Sequence, residues 1–155
     1  MGMQYVIFSV GSGEYGLDVS QVNAIETLSN VVPVPNAASH VLGIMNLRGD
    51  VLPVYSLRIK FGLEEEPVNP ETKIIVTVSN GVTVAYKVDA VKEIIECTPE
   101  TMEEFPSVVR NADTAYVDSV VNHQGRLILL LNHDRMLKDE EAKNLAELVS
   151  DNANA

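Results

Sequence analysis

Apolar residues fall in short runs broken by glycine, proline and polar clusters. Val41 to Leu47 holds one polar side chain, Asn46; Arg48-Gly49-Asp50 interrupts; Val51 to Tyr55 is apolar again. That alternation of run and break predicts two strands joined by a tight turn. Proline has no N–H for a ladder, so Pro53 puts the second strand at a sheet edge or on a bulge. Leu57 to Phe61 then reads as one helical turn, stopped by Gly62 where a left-handed residue ends helices. A hairpin closing on a helical stub is the corner of a small barrel.

Similar units flank it. Gln4 to Val10 and Glu14 to Val19, with many β-branched and aromatic residues, are strands around the Gly11-Ser12-Gly13 turn. Ser20 is placed to cap a short helical turn over Gln21-Val22-Asn23, and Ala24 to Leu28 is extended. Val32-Pro33-Val34-Pro35, continuing to Ser39, is a crossing closed to regular helix. Leu63 to Thr72, with Glu64-Glu65-Glu66, Pro67 and Pro70, is an acidic linker. Lys73 to Ser79 and Val82 to Val88 flank Asn80-Gly81, the strongest short-range signal for a type I′ hairpin. Asp89-Ala90-Val91 turns the chain, Lys92 to Cys97 is extended, and Thr98 to Thr114 reads as surface loop. Ala115 to His123 and Arg126 to Leu131 form another hairpin, followed by a helical turn over Asn132 to Leu137. Asp139 to Val149 carries a cap, an acidic first turn and an apolar stripe, an amphipathic helix suited to packing on a barrel. Ser150 to Ala155 is a loose tail.

The order hairpin, turn, strand, crossing, hairpin, helical stub therefore occurs twice. Val22-x-x-Ile25 is echoed 69 residues later by Val91-x-x-Ile94. This predicts an all-β protein of two small five-stranded barrels rather than one sandwich, with short helical turns and a C-terminal helix.

Composition narrows the setting. A chain of 155 residues is one domain or two very small ones and buries roughly 68–70% of its unfolded surface. With Cys97 alone no internal disulfide forms, and a cytosolic home is the simplest reading. No apolar run approaches the roughly 20 residues of a membrane span, and the first residues have neither a basic nor a long apolar leader region. The net charge of -11 is uneven: residues 1 to 60 hold three basic against four acidic side chains, and the remainder eight against eighteen. Such a surface disfavours nucleic acid and anionic membranes, and it leaves the nearly neutral first part free for contacts.

Candidate chemistry is sparse. His40, His123 and His133 lie in unrelated segments without metal-ligand spacing, so no metal site is expected. Cys97 ends an apolar strand with no basic neighbour to favour a thiolate. Ser79, His133 and Asp134 compose a nucleophile, base and acid only as almost any chain can, without a G-x-S-x-G elbow. Gly11-Ser12-Gly13 lacks the lysine and helix start of a phosphate cradle. Arg48-Gly49-Asp50 spells a cell-adhesion tripeptide and reads as a turn. No catalytic residue and no cofactor are assigned.

Tyr5 to Phe8, Glu14 to Val19, Val22, Ile25, Pro33 to Asn36, Val41, Gly43, Asn46-Leu47-Arg48-Gly49, Pro53-Val54, Leu57-Arg58 and Phe61-Gly62 together resemble the chemotaxis coupling protein (CheW) family. Val88-Asp89-x-Val91, Tyr116 and Leu127 to Leu131 continue the likeness, which covers roughly residues 4 to 138. The resemblance implies one CheW-like domain of two interlocked five-stranded SH3-like barrels. Subdomain 1 would span about 15–88; subdomain 2 would combine about 4–14 with 89–138. It also implies a non-catalytic adaptor, cytoplasmic and recruited to membrane-associated receptor arrays. Its partners would be the regulatory domain of the histidine kinase CheA and the cytoplasmic tip of methyl-accepting chemotaxis receptors. Matched to the family, Val22, Ile25 and Ile94 line a groove that takes the receptor's helical hairpin, aliphatics on a sheet rim accepting a helix's apolar stripe. The competing reading makes all three plain core. Arg48 either braces its turn or pairs with an acid on receptor or kinase. Kinase contacts are expected at Asp50 and Val51 and near Val108 and Val109. Ser56 stands where the family usually has aspartate, which leaves a weaker hydroxyl cap, and Ala24 and Ala90 replace a common glutamate and glycine. Two alternatives stay open: an adaptor of a non-flagellar pathway, and a ligand-binding or enzymatic barrel that would converge ionisable groups in the groove.

Overall fold

The computed structural model describes residues 2–111, 114–138 and 140. Eleven strands form two sheets: β1 (Met3–Val10), β2 (Gly13–Asp18), β3 (Val22–Glu26), β4 (Val41–Leu47), β5 (Asp50–Ser56), β6 (Lys73–Ser79), β7 (Val82–Val88), β8 (Ala90–Cys97), β9 (Met102–Glu104), β10 (Val117–His123) and β11 (Arg126–Leu131). Lobe 1 is the sheet β3-β6-β7-β5-β4, and lobe 2 is β8-β1-β2-β11-β10-β9. The all-β architecture of two SH3-like barrels holds, with one extra strand. The expected C-terminal helix over 139–149 and the tail 150–155 lie outside the described residues, apart from Glu140.

The hairpins are exchanged between lobes. The first hairpin, β1–β2, pairs with β8 and β11 from the far end of the chain, while β6–β7 pairs with β3 and β5. Lobe 1 is thus continuous in sequence, and lobe 2 is assembled from both ends. The division falls between Asp18 and Val22 rather than at residue 15, because both strands of the first hairpin share one sheet.

The two lobes follow one plan. In each, a hairpin strand runs parallel to the last strand over three residue pairs: Tyr15 opposite Leu129, and Tyr86 opposite Tyr55. Each closing hairpin turns on an Asn-x-x-Gly element in which the asparagine carboxamide accepts from the glycine N–H, Asn46 to Gly49 at 2.9 Å and Asn122 to Gly125 at 3.1 Å. Each then ends in a capped helical turn. Ser56 Oγ accepts from Ile59 N at 3.2 Å ahead of α1 (Leu57–Lys60), and Asn132 Oδ1 accepts from Arg135 N at 3.0 Å ahead of 133–138. The hydroxyl cap expected at Ser56 is present.

Burial explains why strands alternate. Along β1, Tyr5 and Ile7 fill lobe 2, while Val6, Phe8 and Val10 face a seam core shared with Tyr55, Leu57, Ile75 and Tyr86 of lobe 1. Along β6, Ile74 and Val76 fill lobe 1, and Ile75 faces the seam. Both faces of the central strands are buried, so the lobes have no independent solvated surface between them. Pro53 lies in a strand with neighbours on both sides, yet the pairing with β7 begins only at Val54, so its missing N–H interrupts no ladder on that side.

Three local readings differ. The turn before β3 is a 3-10 turn at Val19–Gln21 capped by Asp18, whose carboxylate accepts from Ser20 N at 2.9 Å; Ser20 caps nothing there. Thr98 to Thr114 holds 3-10 turns at Pro99–Thr101 and Ser107–Val109 as well as β9. The acidic linker is a belt: Glu65 accepts from Ser56 Oγ at 2.9 Å and from Lys87 Nζ at 3.0 Å, and Arg58 donates to the Glu64 carbonyl.

Candidate functional site

Each lobe leaves one equivalent strand as an edge, β3 and β8. Both carry the Val-x-x-Ile pattern, and both are bulged at the same place: Asn23 is the extra residue against β6, and Lys92 the extra residue against β1. Register fixes which side their residues take, since directly opposed side chains share a face. Ile25 lies opposite Ile75, and Ile94 opposite Val6, both partners belonging to the seam core. Val22 packs on that core from its margin, half-buried. Ile25 and Ile94 are 39% and 57% exposed. The three aliphatics therefore stand on the seam-facing sides of two unpaired edges, Val22 in part as core and the isoleucines as open rim. A shallow cleft of about 330 Å³ joins the lobes here, with Ile25 on one wall and Val91 and Lys92 on the other.

Arg48 sits in the β4–β5 turn with a positive φ, and its guanidinium pairs with Glu26 at the end of β3. It braces the turn against the edge strand while staying largely exposed. Asp50 and Val51 follow at the start of β5. Val51 is 66% exposed and shares a face with Pro53, Ile44 and, through a lone bridge, Val32, an apolar strip turned away from the core of lobe 1. On lobe 2, Val108 is 92% exposed and Val109 half-exposed, on a 3-10 turn pinned by Arg110, which lies over the Phe105 ring and donates to the Val117 carbonyl. The strip on β4–β5 and the turn at Ser107–Val109 belong to different lobes.

Charged groups missed by sequence reading hold the lobes together. Asp89, between β7 and β8, accepts from Gly11 N at 2.8 Å and from Arg58 Nε at 2.9 Å, joining the first hairpin of lobe 2 to α1 of lobe 1. Hydrogen bonding to Asp89 raises the Arg58 pKa above its ordinary value. Glu140 is buried between His40, at 2.6 Å, and Lys60, at 2.5 Å. Burial alone would raise its carboxyl, but these two partners hold it below the usual carboxylate range. Spacing could not have revealed either cluster, because the partners stand 31 to 100 positions apart in the chain.

The nucleophile arrangement dissolves. Ser79 Oγ donates straight to the Asp134 carboxylate, while His133 is fully buried with Nδ1 3.3 Å from the Tyr86 hydroxyl. Burial pushes the Cys97 thiol up, away from the thiolate. Among the described residues no three His, Cys, Asp or Glu side chains are grouped to hold a metal ion, and no helix is long and apolar enough to cross a membrane.

Residues 4–141 match the family model of the CheW-like domain. The chain is 28% identical over 143 residues to the chemotaxis protein CheW of Bacillus subtilis (strain 168), covering 92% of each chain. It is 29% identical over 139 residues to that of Helicobacter pylori, covering 89% of this chain and 83% of that one. The crystal structure of the scaffolding protein TtCheW from Thermoanaerobacter tengcongensis superposes with a TM-score of 0.77 at 29% identity, covering 84% of this chain and 89% of that one.

Proposed function

The chain belongs to the CheW-like domain family, and from that premise we propose that it couples the cytoplasmic tips of transmembrane chemoreceptors to the histidine kinase CheA. It is a chemotaxis adaptor of a scaffolding family, not an enzyme. The observation that carries the proposal is the pair of equivalent bulged edges, each offering Val-x-x-Ile toward one seam. A receptor's helical hairpin lays its apolar stripe along Ile25 and Ile94 and against the margin at Val22, while Arg48 keeps its turn braced on Glu26. Rigid strands hold these side chains, so little order is lost on docking.

The regulatory domain of the kinase takes the remaining surfaces, at Asp50 and Val51 on lobe 1 and at Val108 and Val109 on lobe 2. Placing receptor and kinase contacts on separate faces lets one molecule hold both partners at once in the cytoplasm beneath a receptor array. Pull-down of a receptor cytoplasmic fragment together with the kinase tests this. Wild-type protein recovers both partners, and Val22→Asp loses the receptor fragment while retaining the kinase. Undiminished recovery of the receptor fragment by Val22→Asp would remove the groove from the account.

A further inference from the structure

We infer that Lys92 selects the helix that docks in this groove, by taking a carboxylate carried beside that helix's apolar stripe. The inference rests on the groove reading above and adds to it the charge of the partner. Of the lysines and arginines in the described residues, only Lys92 and Lys138 make no hydrogen bond or ion pair. In a chain with 22 acidic against 11 basic side chains, a cation left without an acid is the exception.

Its place in the fold singles Lys92 out from Lys138. It is the bulged residue of β8, the extra one between Val91 and Glu93, which lie opposite Phe8 and Ile7. Bulges re-aim a side chain and gather at functional edges. The equivalent position on β3 is Asn23, so the two edges share their aliphatics and differ in charge at this point. Lys92 lines the inter-lobe cleft with Ile25 and Val91, and Lys73 stands on the same cleft with its ammonium turned onto the carbonyls of Pro70, at 3.0 Å, and Thr72, at 3.5 Å. The single carboxylate lining it is Glu71, which makes no ion pair with Lys92. The neighbouring acids are already committed: Glu93 to Arg126 and Glu26 to Arg48. An incoming helix with an aliphatic residue on Ile25 and an Asp or Glu one turn away, at i+3 or i+4, places that carboxylate by Lys92. A helix with lysine there meets repulsion, and the rim charge acts as a selector between receptors.

The test measures binding of a soluble chemoreceptor cytoplasmic hairpin to wild type, Lys92→Glu and Ile25→Asp, at low and high salt. Lys92 is exposed on an edge strand, so Lys92→Glu keeps the fold, which matched thermal unfolding checks. Lys92→Glu is expected to bind about five- to tenfold more weakly at low salt, mainly through slower association, with the difference shrinking as salt screens it. Changing the hairpin's flanking carboxylate to lysine restores the affinity of Lys92→Glu and weakens wild type. Equal affinity of Lys92→Glu and wild type for the carboxylate-bearing hairpin, with Ile25→Asp impaired, would overturn the selector and leave the groove standing. Unimpaired binding by Ile25→Asp would instead overturn the groove, and the selector with it.

Discussion

At the start of its helical turn lobe 1 buries Leu57, and lobe 2 buries His133 at the equivalent position, both with no exposed surface. The leucine joins the seam core through dispersion and burial alone. The imidazole has its Nδ1 near the Tyr86 hydroxyl and its Nε2 without a hydrogen-bond partner. A second pair differs in the opposite sense. Gly43 and Ser119 follow the same bulge on β4 and β10: the Val32 backbone crosses where a Cβ at Gly43 would stand, whereas the Ser119 hydroxyl is buried without a partner. The same plan is therefore strained by close packing in lobe 1 and by an unsatisfied polar group in lobe 2.

The largest expected effect is at that crossing. A Cβ at Gly43 would meet the Val32 carbonyl oxygen at 2.1 Å, and φ there is +148°. Gly43→Ala should cost about 3 kcal/mol by denaturant unfolding, whereas Ser119→Ala, which removes a buried hydroxyl lacking a partner, should be neutral or slightly stabilising. Similar losses at both positions would break the comparison.

Next come the ties between turns and hairpins. Asp89→Ala removes one partner of Arg58, which keeps the Glu64 carbonyl and Glu66, and frees the Gly11 turn, an expected loss of about 1 kcal/mol. Asp134→Ala, in the exposed counterpart that holds Ser79 and Gln21, should cost about 0.5 kcal/mol. Thermal unfolding of the two variants side by side checks the order.

The smallest effect at neutral pH is the most diagnostic. Burial lowers the His133 pKa below its ordinary 6.5, so on acidification the unfolded chain takes up the proton first. His133 thus supports the fold above about pH 6.5, and stability falls as pH drops below it by at most about 1.4 kcal/mol per pH unit. His133→Leu, which copies lobe 1, should change little at pH 7 and flatten this slope below about pH 6.5. An unchanged slope would mean that His133 is not the group responsible.

These contrasts mark what the sequence could reveal. Hairpins were legible because their turn chemistry is local: Asn80-Gly81 adopts the positive φ pair its residues favour, and Arg48-Gly49 and Gln124-Gly125 do the same. The repeat was legible in Val22-x-x-Ile25 and Val91-x-x-Ile94, which occupy equivalent edge strands. The bulges at Asn23 and Lys92 were not, because a bulge exists only relative to the strand opposite. Nor was β9, which pairs over three residues where the corresponding crossing in lobe 1 makes one bridge at Val32. Pro33 and Pro35 supply no N–H to lengthen that bridge, and Met102-Glu103-Glu104 has no such restriction. The Asp89 and Glu140 clusters draw on residues 31 to 100 positions apart, beyond any local pattern.

The proposed receptor groove draws on both lobes, and binding to each edge tests it most directly. Affinity of a chemoreceptor hairpin should be measured for Ile25→Asp on lobe 1 and Ile94→Asp on lobe 2, both exposed positions that tolerate the change in fold. Each single variant is expected to weaken binding about tenfold or more, since a buried, unpaired carboxylate costs more than the lost aliphatic contact. Full affinity in either variant would contradict a groove built from both edges.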